Sequence, residues 1–117
     1  MTIGSFHKMS RLERNCLFVK LLLSLPKAER NKVLKIICKP CIDTLRDCCK
    51  NILQNKIPIK AEVKQRLKTH KDKLRAVASH RIRSEEARKL FQTGGFFQAL
   101  IPVLASIINP ILSALTK

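Results

Sequence analysis

The sequence predicts an all-α protein: a small bundle of about four to five short helices, with a hydrophobic C-terminal helix after a Gly-Gly hinge. Three observations predict it. Apolar residues recur at spacings of three and four, Pro or Gly stands at most of the junctions, and no segment alternates apolar with polar as a strand does. At 117 residues the chain holds one domain at most, plus a tail.

The elements follow in order. Ser10 and Glu13 have the spacing of a capping box, which starts a helix through Leu12, Cys16, Val19 and Leu23. Ser24 and Pro26 end it and open the next, since Pro is tolerated in a first helical turn. The second helix carries Val33, Leu34, Ile36 and Ile37 and stops at about Cys38, before Pro40. A third shows Ile42, Leu45, Cys49 and Ile52, and breaks at Gln54 to Pro58. Residues 59–78 give the cleanest stripe, Ile59, Val63, Leu67, His70, Leu74 and Val77, and are expected to form one helix about 28 Å long. Beside that stripe runs a basic row, Lys60, Lys64, Lys68, Lys71 and Arg75, which Arg66 and Lys73 broaden. Ser84, Glu85 and Glu86 mark another helix start, with acids where the helix dipole favours them, and Gly94-Gly95 marks its stop.

From Phe96 to Thr116 the chain is uncharged. Phe96, Phe97, Leu100, Ile101, Leu104, Ile108, Ile111 and Leu115 form an apolar face, while Gln98, Pro102, Ser106, Asn109, Ser113 and Thr116 form a polar stripe. Such a helix can lie on a membrane, associate with another copy or a capsid protein, or serve as the core helix on which the basic helices pack. Pro102 and Pro110 are expected to kink it. The chain accordingly divides into a basic body, 1–93, and a hydrophobic tail, 94–117.

Charge directs the functional reading. Lys plus Arg number 24 against 8 Asp plus Glu, for a net +16, and every charged side chain except Lys117 precedes Gly94. A body this basic has polyanions as its default partners, nucleic acid or an anionic membrane surface, the alternative being a solvated basic face. With no Trp, no Tyr and five Phe, the chain lacks the aromatic platforms on which single strands stack. No cluster of Asn, Gln and Arg is placed to read bases, so contacts are expected to be to phosphate and indifferent to sequence. The candidate phosphate-binding residues are Lys60, Lys64, Arg66, Lys68, Lys71, Lys73, Arg75, Arg81 and Arg83.

No constellation for catalysis stands out. The acids are scattered, the only glycines are Gly4, Gly94 and Gly95, and no Ser or Cys sits in a nucleophile motif, so neither an enzyme nor a cofactor is expected. Cys38-Lys39-Pro40-Cys41 has the spacing of half a zinc site, and His7, His70 and His80 are candidate further ligands. Adjacent Cys48-Cys49 makes a poor second half. Small buried thiols are the simpler reading of Cys16, Cys38, Cys41, Cys48 and Cys49, and a redox role for Cys38 and Cys41 lacks a β-α-β pattern to support it. Lys20 and Pro26-Lys27 interrupt the Leu21-Leu22-Leu23 run, so a secretory signal is not expected.

The order of features resembles a known group. A leucine-rich helix at Cys16 to Leu25 precedes a short helix after Pro26, then Asn51 through Ile59, then a basic segment containing Leu67-Lys68-Thr69-His70-Lys71. Arg88-Lys89-Leu90-Phe91-Gln92 and Gly94-Gly95-Phe96-Phe97 follow, with an apolar end. Over roughly residues 16–105 this is similar to the small basic proteins of adenovirus-like mobile elements and viruses, the Polinton/Maverick and adintovirus group. The resemblance implies a minor virion or core component, located in the virion and the host nucleus or cytoplasm, that condenses DNA or acts on membranes. It also implies processing by a maturation protease at Gly94-Gly95, although Gln92 stands where that cleavage pattern has an aliphatic residue.

Overall fold

The structure is a computed structural model that describes residues 11–79, 81–93 and 95–115. Ser10, His7, His80, Gly94, Thr116 and Lys117 lie outside the described residues, as do the side chains of Leu12 and Leu115. The described chain is all helix and turn. It comprises α1 (Arg11–Leu23), α2 (Lys27–Ile36), α3 (Lys39–Leu53), α4 (Ala61–Lys68), α5 (Lys71–Ala78), α6 (Ser84–Phe91) and α7 (Phe96–Leu115).

Among the described residues seven helices stand where four to five were expected, and one of the additional helices arises because residues 59–78 do not form one rod. The stripe breaks at Thr69-His70. The Thr69 hydroxyl donates to the Arg66 carbonyl at 2.7 Å, and the His70 N–H donates to the Leu67 carbonyl at 3.0 Å, three residues back. His70 then leaves helical geometry (φ −110°, ψ 19°), and its carbonyl starts α5 by accepting the Leu74 N–H at 2.9 Å. The break gives the two halves different neighbours: α4 lies against α7, and α5 lies against α3. A straight helix cannot serve both surfaces, so tertiary packing overrides the local periodicity.

Helix α7 packs against α1, α4 and α6, and its buried face fills the centre of the molecule. Phe96, Phe97, Leu100, Val103, Leu104 and Ile108 are buried there beside Val19, Leu22, Leu67 and Phe91. The Phe91 and Phe96 rings stack at 5.8 Å with 4° between planes, Phe97 meets Phe91 edge-on at 6.1 Å, and His70 lies tilted against Phe96 at 5.8 Å. The polar stripe of α7 is exposed, and Asn109 accepts a hydrogen bond from Lys20 of α1. Both prolines lie inside the continuous helix on exposed positions, where water can satisfy the carbonyls that each missing N–H leaves free. Gly95, with φ 73°, turns the chain into α7, a left-handed conformation that side chains with a Cβ resist.

The second layer is held by arginines. Arg46 on α3 donates to the carbonyls of Val77 (2.8 Å) and Ile82 (3.1 Å), and also to that of Ser79, closing the C-terminal end of α5 and the turn beyond it. Asp43, one turn earlier, accepts from the Ser84 hydroxyl at 2.7 Å at the start of α6. Burial pushes the Asp43 carboxyl up, but hydrogen bonds from Lys39 and Ser84, with the charge of Arg46, outweigh it and hold the pKa below the usual value. Arg88 of α6, 9% exposed, donates to the Leu34 carbonyl at 2.8 Å, while Arg30 lies over the Phe97 ring at 5.6 Å. Replacing Arg46 with Ala is expected to cost about 2–3 kcal/mol in urea unfolding, because buried carbonyls lose a charged donor. Arg46→Lys should recover little of it, since one ammonium cannot reach three carbonyls as the planar guanidinium does.

Candidate nucleic-acid interface

The break at Thr69-His70 makes an elbow, and the elbow shapes a cleft. Helix α3 ends in a Schellman motif. Asn55 takes a left-handed conformation (φ 55°), its N–H reaches the Ile52 carbonyl at 3.2 Å, and the Lys56 N–H reaches the Asn51 carbonyl at 3.1 Å. This stop directs residues 56–60 across to the start of α4. Between the end of α3 and the α4–α5 elbow lies an open cleft of about 390 Å³. Its apolar floor includes Ile52, Ile59, Leu67 and Leu74, and its cationic wall is Lys64, Lys68, Lys71 and Arg75.

Those four cations come from two helices. Lys64 and Lys68 are one turn apart on α4, and Lys71 and Arg75 one turn apart on α5, about 6 Å of rise within each pair. All four are exposed, whereas Leu67 and Leu74 between them are buried, so the apolar contacts fix the helices and leave the charges outward. No acidic side chain lines the cleft. Among the described residues the ion pairs are Glu29–Lys32, Lys39–Asp43 and Glu85–Arg88, and none uses a cation of the cleft. Glu62 and Asp72 lie on the same two helices but outside the cleft lining and in none of these ion pairs, so like charge is concentrated along the wall, the arrangement that attracts a polyanion.

The remaining candidates are placed differently. Lys60 and Arg66 are exposed at the start and on the body of α4, outside the cleft lining. Lys73 is half-buried, and its ammonium donates to the Thr93 carbonyl at 3.3 Å. Arg81 and Arg83 are exposed on the connection between α5 and α6, at the far end of α5 from the elbow. On α7, Phe96, Phe97, Leu100, Leu104 and Ile108 are buried in the core, and Ile101 and Ile111 are half-buried against it.

The sequence did not reveal that Arg30, Arg46 and Arg88 serve the fold. Arg30 falls in register with Leu34, and Arg88 follows Glu85 by three, which are faint signals. The partners of Arg46 lie more than thirty residues away, and nothing local announces them. Compared with known proteins, the chain matches no family model, no curated protein and no solved structure.

Proposed function

We propose that this protein is a non-enzymatic nucleic-acid-binding protein that holds the phosphate backbone in the elbow cleft. The observation that carries the reading is the wall of Lys64, Lys68, Lys71 and Arg75, exposed and with no acidic side chain in the cleft lining. Lys60 and Arg66 flank it, and Arg81 and Arg83 extend the positive field, while Lys73 acts chiefly by its charge. No aromatic residue lines the cleft and Asn55 is the single amide in it, so contacts go chiefly to phosphates and little sequence is read. The resemblance to virion components of adenovirus-like elements supports a structural role in compacting DNA. Action on membranes through α7 would require Phe96, Phe97, Leu100, Leu104 and Ile108 to leave the core, at the expense of the interior of the molecule.

Fluorescence anisotropy with duplexes of different sequence tests the proposal. If the cleft and its flanks neutralise about four to five phosphates, log affinity should fall against log salt with a slope of roughly −4 to −5. Duplexes of unrelated sequence should bind alike. A strong sequence preference, or affinity unchanged between low and moderate salt, overturns the reading.

A further inference from the structure

The five cysteines are all thiols, and one pair differs from the rest. Cys16, Cys48 and Cys49 are sealed in the core; burial, with neighbouring charge second, pushes Cys48 up to about 12 and raises the other two. Cys38 is exposed. It precedes α3 in extended conformation (φ −67°, ψ 156°), and its carbonyl accepts the N–H groups of Cys41 (3.1 Å) and Ile42 (3.3 Å), so its sulfur stands at the helix N-terminus. Pro40 preorganises that first turn. Cys41, one turn in, is buried, and its sulfur lies 3.3 Å from that of Cys38. The Cys38 thiol donates to Cys41, and the Cys41 thiol donates to Asn15 Oδ1 on α1 at 3.9 Å.

We propose that Cys38 and Cys41 form a redox-active dithiol that exchanges with peptidyl disulfides of the glutathione class. The geometry assigns the two sulfurs different roles. Cys38, exposed at a helix N-terminus, is the one that an incoming disulfide can reach. Its thiolate, having lost its proton to solvent, bonds to one sulfur of the disulfide and expels the other half as a thiolate. Cys41 then loses its proton and attacks the Cys38 sulfur, releasing the second thiolate. One external disulfide is reduced to two thiols as the Cys38–Cys41 disulfide forms, and the sulfurs need to close by only about 1.3 Å.

Two further features suit the role. An apolar hollow of about 450 Å³, lined in part by Leu21, Leu25, Val33 and Ile37, opens beside both sulfurs and gives a peptide backbone somewhere to lie. Burial, followed by the hydrogen bond from Cys38, pushes the Cys41 thiol up to about 12, so Cys41 waits as a thiol until the first exchange has occurred. The net +16 of the chain favours an anionic disulfide such as glutathione disulfide.

The test uses the full-length reduced protein in a series of glutathione to glutathione disulfide ratios, with remaining thiols alkylated and masses read intact and after trypsin. The expected result is loss of two of the five thiols, no retained glutathione, and a 36–46 peptide lighter by two hydrogen atoms. Cys41→Ser should hold one glutathione on Cys38, and Cys38→Ser should keep every remaining thiol, both with wild-type helicity by circular dichroism. A stable glutathione adduct on wild-type Cys38 without the internal disulfide overturns the proposal. So does pairing that uses Cys48 or Cys49, or no thiol loss under ratios that oxidise a short Cys-X-X-Cys peptide. Should the variants lose helicity, the wild-type peptide map decides alone.

Discussion

Reversing Lys64, Lys68 and Lys71 to Glu together is expected to weaken duplex binding by about a hundredfold at moderate salt and to flatten the salt slope by about three. The three side chains are exposed and make none of the described ion pairs, so their loss should cost the fold little. Their place in the cleft makes the effect specific. Reversing Lys60, Arg81 and Arg83 changes net charge by the same amount, but at exposed positions off the cleft wall. That second triple should weaken binding far less. Equal losses from the two triples would show that the protein binds through its overall field, and the cleft would lose its claim to be the interface.

Phe96→Ala should have the largest effect on stability, about 3–5 kcal/mol, as for other fully buried aromatic side chains truncated to Ala. A small domain has about 5–15 kcal/mol in total, so much of the protein would be unfolded or close to it. Phe96 is completely buried, stacks on Phe91 of α6, and supports His70 at the elbow. Its removal therefore detaches α7 from α6 and loosens the turn between α4 and α5. Urea unfolding followed by circular dichroism should show a sharply lowered midpoint for the whole helical signal. If the body helices melt at the same urea concentration in variant and wild type, α7 is an appendage and not the support of the core.

Much of the fold was legible because the signals were local. Pro26 and Pro40 lie where α2 and α3 begin, and Ile42, Leu45, Cys49 and Ile52 are all buried on α3 as their spacing implied. The Thr69-His70 break was not legible. Both residues are compatible with a helix, and the stripe runs through them without interruption, so only the competing demands of α3 and α7 bend the chain there. The candidate site was legible as a row of cations but not as a cleft. Lys64, Lys68, Lys71 and Arg75 stand together in the sequence pattern, yet which lysines share a wall depends on the elbow and on where Asn55 turns the chain. Charge counting also misjudged Arg30, Arg46 and Arg88, which spend their guanidinium groups inside the molecule.

The place of α7 in the chain has a consequence for synthesis. A ribosome delivers α1 through α6 before the helix that fills their interior. Until residues 96–108 emerge, the faces of Val19, Leu22, Leu67 and Phe91 lack the cover that α7 provides, while the lysines and arginines of the earlier helices are already present. Joining α1 to α7 also closes a loop that spans nearly the whole described chain, so that contact forms late, after local helices are in place. A nascent chain at this stage is a polycation with an open apolar seam, suited to bind anionic polymers before it has a settled shape. If the chain binds a polyanion as proposed, folding and capture would overlap in time, and the polyanion's neutralising charge would lower the repulsion that α7 must overcome to draw the basic helices together.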